Sequence, residues 1–309
     1  MGWPEDITAA RKRTRAYIRQ TPVVETEGFG LDFPIGIKFE QMQHTGSFKA
    51  RGAFNTLLGN PVPEAGLVAA SGGNHGAAVA YAAARLGHKA RIYVPELAGA
   101  AKTALIRAQG AELKIVKGTY AEAAAHAVEW QAATGAMQIH AYDAAATVAG
   151  QGTVMAEWED QGLEADTVLI AVGGGGLIAG ALGWLGGRRK VVAVEPQKSC
   201  ALHAAQQAGA PVDVDVSGIA ANALGAKRIG DICFDLARDT PTMLVSDRAI
   251  ATAQTALWRE LRQWVEPAGA TALAALISGA YQPETGERVA VLICGGNPEL
   301  DPTMAGAEA

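Results

Sequence analysis

Between residues 67 and 140 short apolar runs alternate with helical stretches. Leu67 to Ala70, Ala90 to Val94, Leu113 to Val116 and Met137 to His140 read as strands, separated by helices at about 74–87, 99–109 and 119–134. No other pattern restricts the fold as much, because strands joined by helical crossovers pair in parallel. A second alternating set follows: a helix at about 147–161, a strand Thr167 to Val172, a helix at 176–186, a strand Lys190 to Glu195, helices near 198–208, 247–264 and 268–280, and a last strand Arg288 to Cys294. An N-terminal helix at about 5–20 and a strand Ile35 to Glu40 precede both sets. The pattern predicts an α/β chain with two mostly parallel sheets. The segment at 43–52 precedes the first set, whereas the other glycine-rich loops fall in both. A small domain at 64–142 is therefore expected within a larger, discontinuous one formed by 1–63 and 143–309.

The loops carry the chemistry. Residues 43–52, Gln-His-Thr-Gly-Ser-Phe-Lys-Ala-Arg-Gly, deliver Lys49 into the first turn of a helix. A helix N-terminus and the apolar neighbours Phe48, Ala50, Ala53 and Phe54 disfavour an ammonium ion there, which suits an amine nucleophile. The alternative is a solvated surface lysine. Ser71-Gly72-Gly73-Asn74-His75-Gly76 follows a strand and opens a helix, a seat for a carboxylate or phosphate, unless Ser71 or Asn74 merely caps the helix. A satisfied buried histidine is the default for His75. Val172-Gly173-Gly174-Gly175-Gly176-Leu177 leaves its amides unobstructed for a single phosphate; it lacks the Gly-Lys-Ser/Thr of a nucleotide loop and makes a poor dinucleotide fingerprint. Cys294 ends an apolar strand at Gly295-Gly296-Asn297, either as a small buried hydrophobe or as a neutral thiol beside a heterocyclic nitrogen. Glu266, before Pro267, is a helix-start acid or a support for the site.

Composition narrows the ligand. At 309 residues, 49% hydrophobic and 18% charged, the chain can bury one substantial core or two modest ones. The net charge of -5, with no basic run beyond Arg11-Lys12-Arg13, argues against nucleic acid, so small molecules are the expected ligands. No apolar stretch reaches the roughly 20 residues of a membrane span, and the N-terminus lacks a signal layout. Three scattered cysteines form neither a disulfide framework nor a metal spacing, and a cytoplasmic location is expected.

In order, Thr-Gly-Ser-Phe-Lys-x-Arg-Gly, Ser-Gly-x-Asn-His, Gly-Gly-Gly-Gly-Leu, Glu-Pro-x-Gly-Ala and Cys-Gly-Gly-Asn resemble the fold-type-II pyridoxal-phosphate enzymes from about residue 20 to 298. Within them the chain is similar to the threonine/serine dehydratase (ammonia-lyase) and serine racemase group. The resemblance implies a tryptophan-synthase-β-like fold, pyridoxal 5'-phosphate as cofactor, a homodimer, and a small domain that closes over an amino-acid substrate. It implies that Lys49 is the Schiff-base lysine, flanked by Phe48, and that Asn74 meets the cofactor's ring hydroxyl. Gly173, Gly174, Gly175, Gly176 and Leu177 become the phosphate cup, and Cys294 the neighbour of the pyridine nitrogen. Ser71, Gly72, Asn74 and His75 would hold the substrate, Ser71 and the amides of 72–75 at its carboxylate. The length leaves no room for the regulatory domain of biosynthetic threonine deaminases, so feedback control is not expected.

Departures refine the expectation. Serine racemases have a serine at the position of Gly72, so elimination is favoured over racemisation. Relatives acting on acidic substrates have an arginine near Gly118-Thr119-Tyr120-Ala121, and a neutral hydroxy amino acid fits better. The family's cation site would use Glu195 and an acid where Ala201 stands, so no metal is expected, and Ser217 replaces the acid of an Asp-Gly pair. The expected reaction is β-elimination from L-threonine or L-serine, giving a 2-oxo acid and ammonia. Serine racemase and 3-hydroxyaspartate dehydratase activities are the nearest alternatives. A β-replacement enzyme, a non-catalytic binding protein and a nicotinamide oxidoreductase are more distant ones.

Overall fold

A computed structural model of the chain describes residues 2–298, except 97, 99 and 119. Its helices are α1 (Trp3–Thr14), α2 (Lys49–Gly59), α3 (Asn74–Arg85), α4 (Ala100–Ala108), α5 (Tyr120–Thr134), α6 (Ala145–Asp160), α7 (Gly176–Leu185), α8 (Ala201–Ala208), α9 (Ala221–Leu224), α10 (Asp231–Ala237), α11 (Asp247–Leu261) and α12 (Pro267–Ile277). The strands are β1 (Val23–Gly28), β2 (Leu31–Phe39), β3 (Leu67–Ala70), β4 (Ala90–Pro95), β5 (Glu112–Val116), β6 (Met137–Gln138), β7 (Thr167–Ala171), β8 (Lys190–Pro196), β9 (Thr242–Val245) and β10 (Val289–Ile293). Six strands form one sheet in the order β1-β2-β10-β7-β8-β9, and four form another in the order β5-β4-β3-β6. All pairs are parallel except the β1–β2 hairpin.

Strands covered on both faces must be apolar throughout, and β7 (Thr-Val-Leu-Ile-Ala) and β10 (Val-Ala-Val-Leu-Ile) are buried at every residue. Glycine governs how the helices lie on them. A Cβ on Gly150 of α6 would come within 2.6 Å of the Gly52 Cα in α2, and one on Gly180 of α7 within 2.5 Å of the Gly152 backbone nitrogen in α6. The three helices therefore touch backbone to backbone, which sets the depth of the first turn of α2.

Beneath that turn lies a buried ionic network. Arg51 donates to both Glu40 oxygens (2.8 and 2.7 Å) and to Glu157 (3.0 Å), while Lys38 donates to Glu157 (2.6 Å) and to the Thr21 carbonyl (2.9 Å). Burial alone would depress Arg51, but the Glu40 and Glu157 carboxylates outweigh it and hold the guanidinium charged.

Several expected boundaries move. The N-terminal helix ends at Thr14 rather than near 20, the strand from Met137 stops at Gln138, and the long helix from Asp247 ends at Leu261, where Arg262 turns left-handed at φ 58°. The expected start of α4 at 99 lies outside the described residues. β1, β9, α9 and α10 were not anticipated. Among the described residues no helix is long and apolar enough to cross a membrane.

Candidate active site

The loops that follow β3, β7 and β10 meet the start of α2 around a cavity of about 600 Å³. Phe48, Lys49, Ser71, Gly72, Asn74, His75, Gly173, Gly174, Gly175, Gly176, Leu177 and Cys294 all line it, so the structure brings these sequence-selected residues together.

Lys49 enters from the first helical position of α2, after Phe48, with Ala50, Ala53 and Phe54 of the same helix buried. Its accessible surface faces the cavity, and Nζ donates to the Ala141 carbonyl at 2.7 Å. Burial lowers its pKa from 10.5 to about 8, against the pull of Cys233, Cys294 and Glu266. A substantial neutral fraction is thus present close to physiological pH.

Two helix heads open on the cavity without a side-chain cap. Gly73 is the N-cap of α3 and Gly175 that of α7. Ser71 does not cap α3; its hydroxyl accepts the Gly73 N–H at 3.2 Å, and the amide of Asn74 turns to Glu266 instead. First-turn N–H groups with no internal partner and a positive dipole end suit an anion in each case.

The tetraglycine loop has no room for side chains. Gly175 sits at φ 94°, and a Cβ there would fall 2.6 Å from the Cys233 Cβ; one on Gly173 would fall 2.9 Å from the Leu224 Cα, and one on Gly174 would strike the Tyr142 ring. Only backbone donors can face a ligand here.

Cys294 is buried with its thiol donating to the Ala268 carbonyl at 3.3 Å, and burial together with Glu266 pushes it up to about 12, so it stays protonated. His75 donates its Nε2–H to the Ile139 carbonyl at 2.9 Å; burial and the nearby Lys49 charge lower it to about 3. The ring is therefore a neutral, satisfied core histidine, and the backbone of residue 75 is what remains for an anion. Glu195 is not part of the cavity wall. It is buried, accepts the Leu202 and His203 N–H groups (2.9 and 2.8 Å), and is pushed up to about 7 by burial. Ser217 is also absent from the wall, which Val216 and residues 221–228 form instead. Thr119, in the turn where the resemblance implied an arginine for acidic substrates, lies outside the described residues.

Sequence reasoning missed Tyr142, Tyr120 and the 221–228 wall. Tyr142 lies four residues beyond β6, in the segment before α6, and its sequence neighbours give no sign of its place against the glycine loop. The segment Ala221-Asn222-Ala223-Leu224-Gly225 offers none, because its small side chains match those of the core.

The donor set fits a heteroaromatic aldehyde with a phosphate tail: an amine of lowered proton affinity, a backbone cradle that any Cβ would fill, and an amide and a protonated thiol for ring atoms. A family model described as pyridoxal-phosphate dependent enzyme matches residues 14–295. The chain is 35% identical over 303 residues to the phenylserine dehydratase of Ralstonia pickettii, which covers 95% of this chain and 92% of that one. It is 34% identical over 303 residues to the L-threonine ammonia-lyase of Geobacter sulfurreducens, covering 95% and 75%. A solved structure of maize serine racemase superposes with a TM-score of 0.92 at 28% identity, over 99% of this chain and 96% of that chain.

Proposed function

The chain belongs to the pyridoxal-phosphate-dependent enzyme family, with the α/β fold-type-II arrangement and the cofactor and ammonia-lyase character of its relatives, and from that premise we propose that it acts on a small 3-hydroxy amino acid such as L-threonine or L-serine. The substrate loses water to give an enamine, and hydrolysis of the enamine takes that water up again and releases a 2-oxo acid and ammonia. The observation that carries the reading is the convergence of Lys49, with its pKa near 8, and the Gly173–Leu177 cradle on one cavity.

When bound, pyridoxal phosphate supplies an electron sink for a developing α-carbanion. Gly173–Leu177 would hold its phosphate, Asn74 a ring oxygen, and Cys294, as a neutral thiol, the region of the ring nitrogen. The amine of Lys49 would take the α-proton, because burial leaves part of it neutral and free to accept one. The Ser71 hydroxyl and the uncapped head of α3 receive the substrate carboxylate and orient the Cα–H bond toward Lys49.

Gly72 supports elimination over racemisation. A Cβ there would lie 2.5 Å from the Ala98 Cβ and 3.2 Å from Val94 Cγ1, so the site has no room for a second hydroxyl acid at this position. A second reading has its own support: Pro95, Ala98, Ala121, Ala221 and Ala223 give the cavity small apolar walls, and a phenylserine dehydratase is among the relatives, which favours a substrate with an aryl group on the β-carbon.

The test is a coupled 2-oxo acid assay on the cofactor-loaded protein with L-serine, L-threonine and L-threo-phenylserine. Turnover of at least one is expected, with a loss of about 10²–10⁴-fold in Lys49→Ala. Absence of 2-oxo acid from all three, or full activity in Lys49→Ala, overturns the reading.

A further inference from the structure

We propose that Asn297 is a positioning residue: it fixes the side-chain amide of Asn74 so that an N–H is offered to a ligand oxygen in the cavity, and it ties that amide to the loop carrying Lys49. The inference rests on the pyridoxal-phosphate reading of the cavity. Asn297 stands in the glycine turn after β10 and is not among the residues lining the cavity.

Hydrogen-bond polarity fixes how the two amides are oriented. The Asn297 Nδ2 group lies 2.7 Å from the Thr45 carbonyl and 2.8 Å from Asn74 Oδ1. A carbonyl can only accept, so the Asn297 atom facing Thr45 is the NH₂, and its second hydrogen goes to the Asn74 oxygen. That leaves the NH₂ of Asn74 facing Glu266, whose Oε1 accepts from it. With acceptors at both ends, the chain Thr45–Asn297–Asn74–Glu266 has a single consistent orientation. Asn74 has its oxygen and one hydrogen committed and its other hydrogen left for the cavity, which suits an oxygen acceptor on a bound ring and opposes a ring donor.

The Thr45 end shows what else the chain holds. Thr45 sits at φ 60°, a left-handed conformation that is strained for a β-branched residue and persists only when its surroundings enforce it. Asn297 binds its carbonyl and packs over Gly46, where any Cβ would strike the amide. The Gly296 N–H donates to the Gly46 carbonyl at 2.8 Å and the Phe48 N–H to the Cys294 carbonyl at 3.3 Å, so the two turns run side by side up to Lys49.

The test is a double-mutant cycle read in cofactor affinity. Asn297→Asp keeps the shape and replaces the donor by an acceptor, which sets a carboxylate against the Thr45 carbonyl and turns the Asn74 amide. Apoprotein is titrated with pyridoxal phosphate, and the pH midpoint of the bound cofactor's visible absorbance is recorded, in native and Asn74→Ala backgrounds. Asn297→Asp is expected to weaken binding about tenfold in the native background and less than about twofold in the Asn74→Ala background, with the absorbance midpoint moving as it does in Asn74→Ala. Unchanged affinity, or an equal loss in both backgrounds, overturns the inference. Should Asn297→Asp fail to fold, Asn297→Ala carries the same cycle with the same criteria. Failure of the native protein to bind the cofactor would sink the proposed function itself and is read separately from the cycle.

Discussion

Burial holds Lys49 near 8, against 10.5 for a free lysine, so below that pH the folded chain carries an ammonium that its surroundings disfavour. The sign of the linkage follows: between about 8 and 10.5 the unfolded chain binds more protons at this position than the folded one, so raising the pH through that window stabilises the apoprotein. Lys49→Met is accordingly expected to raise the apoprotein's melting temperature at pH 7, with the advantage shrinking as the pH climbs from 8 toward 10.5. Reductive methylation of Lys49 should likewise level off near pH 8. A constant difference across that range, or labelling that keeps climbing to 10.5, would count against a depressed amine. At this scale the sequence was legible where residue type and chemistry coincide: a lone lysine after a small-residue turn, four consecutive glycines, a thiol at a strand end. Asn297 and Tyr142 were not legible in their roles, because an asparagine in a turn and an aromatic in a connecting loop have ordinary structural reasons to be there, and only the hydrogen-bond partners of the one and the packing of the other distinguish them.

At the scale of elements, α2 decides where the amine stands, and two features decide where α2 stands. One is the Gly52–Gly150 approach to α6; the other is the network under Arg51. Removing one member of a buried ion-pair network leaves the others charged and unpaired, which costs far more than the pair contributes. Arg51→Met strands Glu40 and Glu157 against Lys38 alone and is expected to lower the unfolding free energy by about 3–5 kcal/mol, measured by urea denaturation. Adding Glu40→Gln should recover part of it; a loss below about 1 kcal/mol in the single variant would mean that the network is dispensable. The fully buried parallel strands were readable because an unbroken apolar run has few other uses. The β1–β2 hairpin was not: Val-Val-Glu-Thr-Glu-Gly is exposed at half its residues, and its turn has Phe29 at φ 60° ahead of Gly30. β9 is an edge strand with one buried residue, Val245, and carries almost no periodicity.

Across the whole molecule, the cavity draws its walls from both sheets. Ser71–His75 and Tyr120 follow strands of the four-stranded sheet and Pro95 ends one of them, while Gly173–Leu177, residues 221–228 and Cys294 follow strands of the six-stranded one. The chain passes from the first of these groups to the second through residues 139–144, and that passage is held at two points. Lys49 donates to the Ala141 carbonyl, and Asp143 accepts the Asp231 and Ile232 N–H groups at the head of α10 (3.0 and 2.9 Å). When the Lys49 amine turns to a ligand, Ala141 loses that donor, while Asp143 keeps its bonds to α10. We propose that a small domain at 64–142 closes over a bound amino acid and brings the head of α3 to its carboxylate. Hydrogen exchange on the cofactor-loaded protein tests this with L-alanine, which has no β-hydroxyl to eliminate and stays bound as an amino acid. Exchange in α3 and in the Ser71–Asn74 turn is expected to slow by about tenfold on adding L-alanine, while α12, packed in the core of the six-stranded sheet, does not respond. Slowing spread evenly over both halves would mean that the ligand rigidifies the molecule as one body, and no slowing at α3 would mean that the carboxylate is received somewhere else.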